Sequence, residues 1–263
     1  MSLPPPGTAE RWAWDYIAAR VARDKLALPP RRLRWETPPM SRRVERPGRP
    51  PELSLTNRSP KTPRPGALHV PERRALLVHT FLHHELQAAE LMCWAVLTYA
   101  DAPRAFRRGL MGIASDEIRH LRMYRAHLER LGFAWGDFPV RDWFWERVPR
   151  CADAASFVAT MGMGFEGGNL DHTTRFAAAF RAAGDERGAA LVERVGVEEV
   201  AHVRFALRWY RRFTGDEALE RWARHLPPPL SPLLMRGRVL DRDRRRKAGM
   251  TSRFVDALAS YNA

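Results

Sequence analysis

Two copies of the pattern Glu-x-x-His constrain this chain more than any other feature. Glu117-Ile118-Arg119-His120 and Glu199-Val200-Ala201-His202 each have a glutamate far upstream: Glu85 lies 32 residues before Glu117, and Glu166 lies 33 before Glu199. Residues three apart on an α-helix are neighbours on one face, so each motif sets a carboxylate beside an imidazole. Half a ligand set is therefore written twice. Four carboxylates and two imidazoles, half from each copy, are the ligands of a dinuclear metal site in a four-helix bundle. With 17 glutamates in 263 residues, nine histidines give about half a chance occurrence of Glu-x-x-His. Two occurrences with matching upstream glutamates are much harder to obtain at random.

Helical spacing tests whether these acids face inward. The stripe through Glu85 reads Val78, Leu82, Glu85, Ala89, Met92, Val96. Through Glu117 it reads Leu110, Ile113, Glu117, His120, Tyr124, Leu128, and through Glu199 it reads Val192, Val195, Glu199, His202, Ala206, Trp209. Glu166 lies near Ala159, Met163 and Leu170, in a less regular stripe. Four carboxylates gathered in an apolar core repel one another and lose hydration, at several kcal/mol each unless protonated or paired. Two divalent cations balance the four charges. Oxygen-rich ligation with imidazole and no thiolate suits iron or manganese. Glu90 and Asp171, each five residues after an upstream glutamate, are turned by roughly 140° from it. They fall off the ligand face, although Glu90 is the main rival to Glu85.

An acid precedes each motif, Asp116 before Glu117 and Glu198 before Glu199. A metal-bound histidine donates its other N–H to a carboxylate, a backbone carbonyl or water. The expectation is that Asp116 holds His202 and Glu198 holds His120, with Arg119 pairing one of the two acids. Tyr124, one turn beyond His120, is either core packing or a partner of the metal. Gly162, Gly164, Gly167 and Gly168 around Glu166 weaken a helix. They mark either a bulge beside the metal or close helix packing. His83 and His84 read as packing or surface residues.

Three regions follow from the patterning: residues 1–70, a motif-bearing bundle over 71–215, and residues 216–263. A short amphipathic helix is expected over 9–26, followed by an extended Pro/Arg-rich arm from Pro29 to Pro65 that wraps the bundle or stays mobile. Long helices are expected from about Glu72 to Tyr99, Pro103 to Leu131, Asp153 to Gly184 and Asp185 to Phe213, with stops at Gly132, Gly184 and Gly215. Short turns join the first pair and the second pair. About twenty residues separate the pairs, which is the connectivity of an all-α, ferritin-like four-helix bundle with one crossover.

The net charge of +14 is uneven, with 14 basic against 6 acidic residues over 1–70, 20 against 18 over 71–215, and 10 against 6 over 216–263. The basic flanks either contact nucleic acid or anionic membrane or form solvated faces. No apolar run reaches the roughly 18–20 residues of a membrane span. The N-terminus lacks signal-peptide features, and Cys93 and Cys151 give no disulfide framework, so a cytoplasmic location is expected.

His83-His84-Glu85-Leu86-Gln87-Ala88-Ala89-Glu90, Asp116-Glu117-Ile118-Arg119-His120, Gly136-Asp137-Phe138-Pro139 and Glu198-Glu199-Val200-Ala201-His202 together resemble the bacterial ferritin-like family catalogued as domain of unknown function 455. The resemblance covers roughly residues 65–250. It implies that Glu85, Glu117, His120, Glu166, Glu199 and His202 are the metal ligands. Two iron ions, or a manganese–iron pair, are expected as the cofactor, with O2 as co-substrate. The leading expectation is an oxygen-dependent oxidoreductase of hydroxylase type that takes electrons from an external donor. The alternatives are an iron-binding or ferroxidase protein and a tRNA-modifying hydroxylase. The sequence leaves the oligomeric state open.

Overall fold

Helices form wherever the 3.6-residue apolar period persists, and their ends fall where capping chemistry stops them. The computed structural model describes residues 2–58 and 61–261. Among these the chain is all-helical; β pairing is limited to isolated bridges, Thr8 with Arg34 and Leu55 with Val140. The helices are α1 (Ala9–Ala18), α2 (Ala22–Lys25), α3 (Pro71–Thr98), α4 (Arg104–Arg130), α5 (Ala154–Thr160), α6 (Gly167–Ala182), α7 (Glu186–Thr214), α8 (Leu219–Arg224), α9 (Arg242–Lys247) and α10 (Ser252–Ser260). A π-helical turn, Met161–Glu166, joins α5 to α6 without a break. The chain divides into two compact units, Met1–Glu146 and Arg147–Ala263.

In the first unit α3 and α4 form a hairpin, with α1 packed on α3. Pro71 starts α3 at the position where a missing N–H costs nothing. Leu82, Leu86, Ala89, Leu91, Trp94 and Leu97 of α3 are all fully buried. In the second unit the α5–α6 segment packs against α7, and α9 lies on α6 and α7. Asp153 caps α5 by accepting from the Ser156 amide, and Asp185 caps α7 by accepting from the Gly188 amide. The expected stops are glycines with positive φ: 84° at Gly132, 76° at Gly184 and 75° at Gly215.

The helix expected over 9–26 is instead two, α1 and α2. The last carbonyls of α1 are taken from outside the helix. Lys25 Nζ donates to the carbonyls of Tyr16 and Ile17, both at 2.9 Å, and the Gly48 amide donates to Ile17 at 2.8 Å. Gly48 has no substitute there, since a Cβ would lie 2.3 Å from the Ala18 carbonyl oxygen.

Residues 41–48 run along α1 and α3. The Arg42 amide donates to Leu97 at 2.9 Å, Trp94 Nε1 to Val44 at 3.1 Å, and Ser41 Oγ to Thr98 at 2.6 Å. Several flanking cations are not on solvated faces. Arg42 forks onto Glu36 at 2.6 and 2.7 Å, and Lys25 and Arg245 are completely buried. Among the described residues no helix is long and apolar enough to cross a membrane.

Candidate metal centre

In the first unit α3 supplies Glu85 and α4 supplies Glu117 and His120. One ligand atom from each lies within 4.8 Å of the others. His120 Nδ1 sits 3.3 Å from Glu117 Oε2 and 3.6 Å from Glu85 Oε2. Exposure is 5%, 1% and 0% for Glu85, Glu117 and His120, so water does little to screen these charges. Burial, and then the neighbouring Glu117 carboxylate, push the Glu85 carboxyl well above the usual range. Burial alone would lower the His120 imidazole, but its hydrogen bonds to Glu117 and Glu85 and their charges push it up to about 11. Both shifts reflect burial together with carboxylate charge gathered where water screens little.

The second unit repeats this arrangement. Glu166 ends the π-helical turn, and Glu199 and His202 stand on α7. Ligand atoms of these three again lie within 4.8 Å of one another. All three residues are buried, and His202 Nδ1 is 3.3 Å from Glu199 Oε2, the same atom pair at the same distance as in the first unit. The π turn explains why the stripe around Glu166 is irregular: its wider i→i+5 ladder breaks the 3.6-residue period. Of the four glycines, Gly162 and Gly164 lie in this turn and Gly167 and Gly168 begin α6. The first two allow close packing: a Cβ on Gly162 would be 2.2 Å from the Ala206 Cβ on α7, and one on Gly164 would be 2.8 Å from Met235 Sδ. Gly162→Ala is therefore expected to cost about 1–3 kcal/mol in chemical denaturation. It should also lower metal loading, because it pushes the Glu166 turn away from α7.

The donor set fits a divalent metal. Each triad offers two carboxylates and one imidazole at ligating separation, and neither Cys93 nor Cys151 belongs to either triad. Oxygen-rich sites of this kind suit iron and manganese better than the thiolate sites of structural zinc. One further group escaped the sequence reading: Asn169 Nδ2 approaches Glu199 Oε1 at 3.5 Å. It lies three residues beyond Glu166, one turn along the same helix, and that spacing was the available signal.

Other expected residues have these positions. Asp116 pairs with Arg119 at 2.5 Å and Glu198 with Arg194 at 3.0 Å, each along its own helix. Tyr124 is buried, with its ring 5.6 Å from that of Phe81. His84 stacks on Phe144, and His83 donates to Asp142 at 3.1 Å. Glu90 is engaged elsewhere, by Arg49 at 2.5 Å, Lys25 at 2.6 Å and Trp145 Nε1 at 2.8 Å. Burial alone would raise the Glu90 carboxyl, but the charges of Arg49 and Lys25 hold it below the usual range.

Asp142 carries a pH dependence. Burial would raise its carboxyl, but the His83 hydrogen bond and the Arg49 charge hold it at about 2, below the ordinary value of about 3.9. A depressed group stabilises the fold fully above its unfolded value, and the contribution is lost as pH falls from about 4 towards 2. The stability gap between the parent and Asp142→Asn should therefore narrow across that window in urea denaturation at stepped pH. A gap that stays constant would remove the Asp142 charge from the account.

An uncharacterized protein of Haemophilus influenzae is 23% identical over 195 residues, covering 70% of this chain and 67% of that protein. No solved structure matches the chain. The model of the family described as protein of unknown function (DUF455) matches residues 11–256. That match spans nearly the whole sequence and includes both triads, so the chain belongs to the DUF455 family.

Proposed function

We propose that this protein is an O2-dependent oxidoreductase built on a dinuclear iron centre, or a mixed manganese–iron one, within a ferritin-like four-helix bundle. Glu85, Glu117 and His120 are the ligands of one half, and Glu166, Glu199 and His202 are those of the other. The observation that carries this reading is the repeated triad. Two units of one chain each bury two carboxylates and an imidazole, with an identical 3.3 Å Nδ1–carboxylate approach. A single buried Glu–His pair has many structural uses, whereas the same charged triad in two units points to a shared ligand.

When bound, the metals supply the redox chemistry with dioxygen. The protein's own residues hold the donors, exclude water and balance charge. Leu82, Leu121, Val195 and Val203, on the helices that carry the ligands, are all nearly inaccessible to water. The sequence carries no flavin or nicotinamide fingerprint, so electrons come from an external donor. A small organic substrate is favoured over tRNA, because two arginines of the C-terminal run are tied into the protein: Arg244 to Thr173 at 2.9 Å and Arg245 to Asp171 at 2.7 Å.

The test is anaerobic reconstitution with ferrous iron, followed by metal analysis and an optical spectrum on exposure to air. About two irons per chain and an oxidation-dependent absorption are expected for the dinuclear site; no bound metal would overturn it. Many turnovers of iron oxidation without an organic substrate would move the reading to a ferroxidase. Copurifying tRNA released by moderate salt would move it to a tRNA hydroxylase.

A further inference from the structure

The internal repeat extends beyond the ligands. Glu90 stands five residues after Glu85, and Asp171 five after Glu166. Both side chains are wholly buried, and both are met by cations from outside the long helices. Glu90 is held by Lys25, the last residue of α2, at 2.6 Å, by Arg49 at 2.5 Å and by Trp145 at 2.8 Å. Asp171 is held by Arg245 of α9 at 2.7 and 3.1 Å, and it accepts from the amides of Gly237 at 2.8 Å and Asp241 at 2.7 Å. Each cluster is balanced in itself: Lys25 and Arg49 face Glu90 and Asp142, and Arg245 faces Asp171.

Stability alone does not explain such clusters. Burying an ion pair costs so much hydration that a well-packed apolar set of similar volume is commonly as stable or more so. A cluster of directional hydrogen bonds supplies something an apolar contact does not, a fixed rotation and height for the helix that carries it. Metal ligands must be held within about 0.5 Å of productive geometry by their surroundings. The need is greatest at Glu166, where the π turn removes the regular ladder just before α6.

We propose that Glu90 and Asp171 are equivalent positioning residues. They fix the rotation of the helices bearing Glu85 and Glu166, and they couple metal binding to the docking of the chain segments that supply Lys25, Arg49 and Arg245. The proposal rests on the metal-centre reading above. Coupling of this kind is reciprocal: metal tightens the docking, and docking tightens the metal.

The test uses the full-length protein and manganese(II), which stays in one oxidation state under anaerobic handling, with the free ion measured by electron paramagnetic resonance. The double substitution Lys25→Met with Glu90→Gln removes one charge of each sign, leaves Arg49 its Asp142 partner and keeps an oxygen acceptor for Trp145. Helical circular dichroism should show a folded protein whose melting is lowered by the loss of the Lys25 bonds to the Tyr16 and Ile17 carbonyls, while manganese affinity falls about tenfold, the scale seen for residues that support metal ligands. In the parent, manganese should slow tryptic cleavage between Arg31 and Arg49; in the variant that protection should be lost. Parental affinity in a folded variant would overturn the positioning role and leave the metal centre standing. If the double variant fails to fold, Asp171→Asn combined with Arg245→Met, which removes one charge of each sign and keeps an acceptor oxygen for the backbone amides, takes its place, with the same tenfold fall in manganese affinity expected. Absence of manganese binding in the parent would overturn both readings.

Discussion

Replacing Glu117 by glutamine should weaken metal binding more than about 100-fold, roughly 3 kcal/mol, while changing the stability of the metal-free protein little, since relief of the Glu85 repulsion offsets the weakened contact with His120. Glu117 is 1% exposed and crowds Glu85, whose carboxyl is pushed far above its ordinary range by burial and then by that neighbour. Glutamine keeps the shape and one acceptor oxygen, removes the repulsion and removes the anionic donor. A residue retained for packing would behave oppositely, losing stability and leaving metal content alone. Metal analysis with urea denaturation of the metal-free protein separates the two outcomes. Glu199→Gln should repeat the result in the other unit, because its distance to His202 Nδ1 equals that from Glu117 to His120 Nδ1. Unchanged metal content in both variants would remove these residues from the ligand set.

Asp171→Leu should produce the largest loss of stability, about 3–5 kcal/mol, the usual cost of removing one partner from a buried pair. Arg245, with no exposed side-chain surface, would keep its charge without the carboxylate that accepts from both Nε and Nη2. The amides of Gly237 and Asp241 would lose their acceptor as well. At roughly 2–4 °C per kcal/mol for a chain of this size, the melting temperature should fall by on the order of 10 °C. Adding Arg245→Met should recover part of the loss, because the orphaned charge goes with it. A single variant melting within a degree or two of the parent would show that Arg245 finds another partner.

The long helices were legible because their signals are local. Apolar stripes and the glycine stops lie within a turn of the ends they define, and α3, α4 and α7 fall within a residue or two of expectation. The inward direction of Glu85, Glu117 and Glu199 followed from the same stripes. The stripe failed at Glu166, where a π turn changes the period, and glycine density was the only hint. The first helix was expected to run on through Lys25. It stops early because Lys25 folds back and Gly48 arrives from a distant point in the chain to take its carbonyls.

The fate of the basic flanks was not legible. Lys25, Arg49 and Arg245 look like any other cations in a positively charged sequence, yet their acid partners stand 65, 41 and 74 residues away. The helices, their stops and the doubled Glu-x-x-His set could be read from neighbouring residues alone, because helical period and capping act over one to two turns. That Glu90 and Asp171 are buried and ion-paired, that Glu166 sits on a π turn and that the flanking charge is partly internal emerged from the packing. Those features depend on which distant segments meet, and a buried charge is tolerated only where its partner arrives in place.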